Sequence, residues 1–179
     1  MFSKLPPPLV QVSVRYGLIA SIIGLILLVS LYYMDKHPFL IPPFLDFRII
    51  IFSVFVVFAL RELREFYFGG ILFFWQGMIA SFILTFVFAF SASLFLLLFT
   101  YLQPDFVSSY IKLSTAQLKE FTAEEITRLG KDTYDQVVAN LKMADGWFMA
   151  KRYFFQSFLI SFLISVIISV ILRRQPKPF

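Results

Sequence analysis

Stretches without charge dominate the hydrophobic pattern of this chain. Ile71–Leu102 runs for 32 residues with no formal charge, Tyr16–Met34 for 19 and Phe154–Leu172 for 19. Each is long enough to cross the roughly 30 Å of hydrocarbon in a bilayer. A fourth stretch, Ile49–Leu60, has only 12 uncharged residues. It reaches spanning length when extended back to Phe44, which leaves Asp46 and Arg48 near the outer surface. There Arg48 is expected to snorkel and to pair with Asp46. The pattern therefore predicts an all-α membrane protein of one integral domain, 1–179. Its four transmembrane helices cover about 16–34, 44–63, 74–102 and 153–172.

Between the third and fourth stretches the period changes. In 104–146 apolar residues recur at helical spacing between charges, which predicts an extracytoplasmic amphipathic helical hairpin. Its first helix is Asp105–Phe121, with Phe106, Tyr110, Leu113 and Leu118 on one side. Thr122 and Glu125 form a capping box that opens the second, which runs on to Asp145-Gly146. Glu124–Arg128 and Lys131–Asp135 are expected ion pairs four apart, and Gly130 weakens the middle. Trp147, Lys151, Arg152 and Tyr153 read as an interfacial anchor.

The connections are equally patterned. Pro6, Pro7 and Pro8 are expected to keep a helix from starting cleanly before Arg15. Asp35–Arg48 is a turn-rich loop with Pro38, Pro42 and Pro43, in which His37 is expected to be solvated or to cap a turn. Arg61 and Glu65 can pair four apart, and Gly69-Gly70 ends that helix. As one helix Ile71–Leu102 is too long for the bilayer, so Ile71–Gln76 is expected to form an interfacial foot.

Small residues mark helix-packing faces. Gly77, Ser81, Thr85, Ala89 and Ser93 lie every fourth position in the third span, and Ser157, Ser161, Ser165 and Ser169 in the fourth. Such rows let helices approach closely. Each row drifts about 40° per step, so two of them are expected to cross at about −40° to −50°.

Composition agrees with a lipid solvent: 59% hydrophobic, 15% charged, 25 Phe. The net charge of +5 lies entirely on the side of the termini. That side holds Lys4, Arg15, Arg61, Arg64, Arg173, Arg174 and Lys177 against Glu62 and Glu65. The other side balances nine basic with nine acidic residues. The density of Lys and Arg places both termini in the cytoplasm. Arg61, Arg64, Arg173 and Arg174 then face anionic lipid headgroups, and the high pI needs no nucleic acid.

Candidate chemistry is sparse. There is no Cys and a single His. Asp132, Asp135 and Asp145 alternate with Lys131 and Lys142, as a solvated surface does. The chain is expected to have no catalytic residues, no metal and no cofactor. The leading expectation is a structural or accessory component of a cell-envelope assembly, whose outer hairpin contacts a partner or the bilayer surface, with a membrane-protein partner or a homo-oligomer as the expected association. The alternative is a small transporter or channel subunit with a Ser/Thr-lined path.

Particular segments also resemble a known family. They are Tyr16-Gly17-Leu18-Ile19-Ala20, the Arg61/Arg64 block, and Gly69-Gly70-Ile71-Leu72-Phe73 with Gly77. Gln117-Leu118 in the insert and the closing Ile171-Leu172-Arg173-Arg174 complete the set. Together they resemble the four-span inner-membrane proteins of Bacteroidota catalogued as domain of unknown function 4199. The resemblance implies the four-span layout and the large outer insert, and it brings no functional residue with it.

Overall fold

The computed structural model describes residues 7–42 and 45–175. Lys4, Pro6, Pro43, Phe44 and Lys177 lie outside the described residues. Seven α-helices follow one another: α1 (Pro7–Tyr33), α2 (Phe47–Glu62), α3 (Phe74–Leu102), α4 (Asp105–Lys119), α5 (Ala123–Leu129), α6 (Lys131–Lys142) and α7 (Gly146–Leu172). Three of them, α1, α3 and α7, are long and apolar enough to cross a membrane. At 16 residues α2 falls short of that length.

The long helices and α2 form a ring in which α1 packs on α3, α3 on α7, α7 on α2 and α2 on α1. Contacts fix the directions. Tyr32 meets Phe99, so α1 and α3 run parallel. Arg15 meets Glu62, Gly146 meets Thr100 and Gly77 meets Ser169, so α2 and α7 run the other way. The centre is closed by Phe52 of α2 against Phe88 of α3, ring centroids 4.5 Å apart and both fully buried. The ring's outer surface is apolar. Ile22 and Ile26, Ile50, Phe90 and Leu98, Phe155 and Leu163 are each between 50% and 69% exposed. Serines sit inside. That inversion suits a molecule whose surroundings are hydrocarbon.

Several expectations change. α1 begins at Pro7, not after Arg15. Proline lacks an N–H and has a fixed φ, and the first helical turn tolerates both. α7 begins at Gly146, so the expected anchor segment is its first two turns. The expected foot at Ile71–Gln76 is divided. Leu72 is extended and exchanges two backbone hydrogen bonds with Arg174, 3.0 and 2.8 Å. Phe74, Trp75 and Gln76 are the first turn of α3, where Gln76 Oε1 accepts from the Phe73 N–H at 3.0 Å.

The layer outside the ring has three helices rather than two, because the chain breaks at Gly130. That residue has φ +91°, ends α5 and starts α6. Only glycine adopts such backbone readily. The Thr122–Glu125 capping box is present, and its hydrogen bonds hold the Glu125 carboxyl below its usual range. The expected pairs Glu124–Arg128 and Lys131–Asp135 are absent from the ion pairs of the described residues. Both are exposed, where such pairs are worth little. Arg61–Glu65 does not form either. Leu63–Tyr67 is a π-turn closed from the Phe68 N–H to the Leu63 carbonyl, so residues four apart no longer stack. Glu65 pairs instead with Arg64 at 3.0 Å. Beyond it Gly69 and Gly70 turn the chain with φ of +58° and +84°.

Candidate functional site

At the end of the ring facing α4–α6 the polar side chains converge. Asp46 caps α2, its Oδ1 accepting from the Arg48 N–H at 2.9 Å. The Arg48 guanidinium folds back on the same carboxylate, with Nε 2.8 and 2.9 Å from its oxygens and Nη2 on Oδ2. Nη1 donates to Ser157 Oγ of α7 at 2.9 Å, and the guanidinium lies 4.8 Å from the centre of the Tyr153 ring. Arg48 is 5% exposed and Asp46 8%. Arg48 therefore does not snorkel. A neutralising partner two residues away, a hydroxyl and an aromatic face together make an inward position tolerable. Tyr153, expected at the interface, is buried as that aromatic face.

His37 is the second node, 6% exposed rather than solvated. It caps the short 3-10 turn Pro38–Leu40, its Nδ1 accepting from the Phe39 N–H at 3.3 Å. Nε2 then carries the proton and donates to the Phe106 carbonyl of α4 at 3.1 Å. Its ring lies 4.7 Å from Phe106 and 5.5 Å from Tyr110, with Tyr32 and Phe39 around it. Burial pushes its pKa down, opposed in part by the Phe106 carbonyl. Protonation would turn a second N–H toward the Phe39 N–H. The sign follows: the unfolded chain binds the proton more readily. Stability is full above the ordinary histidine value, about 6.5, and is lost as pH falls from there toward the lowered native value. Melting curves between pH 7.5 and 5 are expected to show this slope, and His37→Gln is expected to flatten it.

The third node joins α4 to α7. An Arg152 Nη1 donates to the Tyr110 hydroxyl, and the guanidinium stands 5.6 Å from that ring's centre. It borders a cavity of about 320 Å³ between α4, α6 and α7. Tyr134 closes the layer above, its hydroxyl donating to the Leu118 carbonyl at 3.1 Å. Nearby, Lys151 stands over the Trp147 ring at 5.2 Å.

The small-residue rows lie deeper. Gly77, Ser81, Thr85 and Ala89 are buried on α3. Ser93 stands off that line, its hydroxyl donating to the Phe90 carbonyl, and Ala92, Leu96 and Thr100 continue the buried face. Ser157, Ser161, Ser165 and Ser169 are all buried on α7. Ser169 packs on Gly77 and Thr100 on Gly146, contacts about 35 Å apart along the helices. Helices touching at both points cannot cross at the expected −40° to −50°. The reason lies in the drift itself. Twelve residues separate Ser157, which meets Arg48 of α2, from Ser169, which meets α3. That spacing is a rotation of about 120°. One row serves two neighbours.

At the opposite end Glu62 accepts from Arg15 at 2.6 Å and from the Tyr16 hydroxyl at 2.8 Å. Arg64 turns inward, donating to the Leu172 carbonyl at the end of α7 at 3.4 Å. Arg61, Arg173 and Arg174 are exposed at the same end. Of the acidic trio, Asp145 caps α7 through the Phe148 N–H at 2.7 Å. Among the described residues no group of three His, Cys, Asp or Glu could hold a metal.

The sequence alone missed the inward turn of Arg48 and the pairing of Arg152 with Tyr110, 42 positions away. Only the unusual Asp46-Phe47-Arg48 start of an otherwise apolar helix hinted at the first.

A ring with an apolar belt outside, and hydroxyls and a neutralised ion pair inside, defines a helical membrane protein. The chain belongs to the family described as Protein of unknown function (DUF4199), whose model matches residues 15–174. No curated protein and no solved structure matches it.

Proposed function

We propose that this is a four-span protein of a bacterial inner membrane with both termini cytoplasmic, acting without catalysis as an accessory component of an envelope assembly. The short helix α2 serves as the fourth span. It is flanked by α1 and α7 and shows Ile50, Val54 and Phe58 outward. Its 16 residues and the π-turn after them reach about 30 Å. Arg61, Arg173 and Arg174 then stand at an anionic headgroup surface, which supports the inward orientation of that end.

The observation that carries the role is the outer layer. α4 is bound to the ring through Phe106, Tyr110 and His37, whereas α5 and α6 pack chiefly on α4 and on each other. Leu129 and Met143 remain 44% and 73% exposed on this firmly capped layer. A membrane-protein partner or a second copy would cover them. Leu129→Lys together with Met143→Lys is expected to abolish co-purification of partners from native membranes, with membrane insertion and melting unchanged. Undiminished co-purification would refute the role.

The alternative, a transporter or channel subunit, draws on the hydroxyls of Ser81, Thr85, Ser165 and Ser169, buried and without partners between α3 and α7. The cavity beside Thr85 and Ser165 is about 10 Å³, room for about one water. A Ser/Thr-lined path would therefore have to run between copies, and proteoliposome flux would reveal it.

A further inference from the structure

The cavity between the outer layer and the ring has the make-up of a ligand site. Its volume, about 320 Å³, falls in the range of small-molecule pockets, which are mostly apolar with a few convergent polar groups. Leu118, Val137, Leu141 and Phe148 supply the apolar walls. Arg152 is the only formal charge in its lining. Its described contacts are the Tyr110 hydroxyl and ring, and it takes part in none of the ion pairs of the described residues. Ser114, 9% exposed, borders the same space, and its hydroxyl oxygen is buried without a hydrogen-bond partner. Arg152 is exposed and borders this space, so an acceptor-rich anion can take up its N–H groups in place of water. The surrounding walls call for an apolar chain.

We propose that this cavity binds a single-chain anionic amphiphile, its carboxylate or phosphate on Arg152 and Ser114 and its chain among Leu118, Val137, Leu141 and Phe148. The two headgroups share the chemistry that Arg152 recognises. Arg152 lies two turns into α7, at the helix end that also carries exposed Trp147. This site is separate from Leu129 and Met143, which do not line it, so the partner reading can fail without it.

The test uses the full chain in phosphatidylcholine nanodiscs with dodecanoate, dodecyl phosphate and dodecanol, followed by calorimetry and by native mass spectrometry. Dodecanoate or dodecyl phosphate is expected to bind once per chain and to raise the melting temperature. Dodecanol is expected to bind at least tenfold more weakly. The tighter of the two anions identifies the headgroup as carboxylate or phosphate. Arg152→Gln is expected to cost at least tenfold in affinity, Arg152→Lys less, and Ser114→Phe, which fills the cavity, to abolish binding. No saturable binding of either anion to the native chain would overturn the proposal, whatever the variants do. So would equal binding of dodecanol, or unchanged affinity in folded Arg152→Gln and Ser114→Phe.

Discussion

Arg48→Met is expected to destabilise the protein by about 3–5 kcal/mol, because it leaves the Asp46 carboxylate buried without its partner. The loss exceeds that of an ordinary surface ion pair, which is worth no more than about 1 kcal/mol. The guanidinium also satisfies Ser157 and covers the Tyr153 ring, so methionine fills the volume and replaces none of the hydrogen bonds. The double variant Asp46→Asn, Arg48→Met separates charge from shape. Asparagine caps a helix as well as aspartate does, and it removes the buried charge. The double variant is expected to recover most of the loss. Reversible melting in detergent of the two variants and their parent checks this. Equal losses in both would show that the charge is not the source.

Gly17→Leu is expected to cost about 1–3 kcal/mol or to prevent assembly of the ring, since overpacking forces backbone apart. A Cβ at Gly17 would already stand 2.8 Å from the Leu84 carbonyl oxygen and 3.0 Å from Val87 Cβ. Backbone cannot swing aside as a long side chain can. Gly69 provides the contrast. Nothing lies within 4 Å of a Cβ there, but its φ is +58°. Gly69→Asn is expected to be nearly silent, because asparagine visits left-handed backbone. Gly17→Asn is expected to fail. The same melting assay distinguishes them, and equal tolerance at both positions would remove α1–α3 contact as the reason for Gly17.

The long helices were legible because the solvent writes itself into the sequence. The charge gap over Ile71–Leu102 contains the third span, and the helix runs over Phe74–Leu102. Local signals also located the Thr122–Glu125 box and the turn at Gly69-Gly70. What escaped was tertiary. Nothing near Arg48 says that Ser157 will face it, so the sequence predicts an arginine that pairs with Asp46 but snorkels toward the outer surface. His37 lacks a nearby second ligand, and its burial depends on Phe106 and Tyr110, some 70 residues further on. The break at Gly130 was visible as weakness but not as a positive φ. The expected crossing angle requires one partner for the whole row, and the α7 row has two.

That shared row has a mechanical consequence. Ser157 is held toward α2 and Ser169 toward α3, so α7 is indexed to two neighbours at two heights. A turn of α7 about its own axis must break both contacts at once, and a sliding motion must drag α2 and α3 together. Its far end is tied as well, by Arg64 on the Leu172 carbonyl and by Leu72 on Arg174. α7 therefore behaves as a strut rather than a piston. Inserting a single residue between Ser161 and Ser165 would place the two contacts about 100° out of phase, and the ring could then satisfy only one of them.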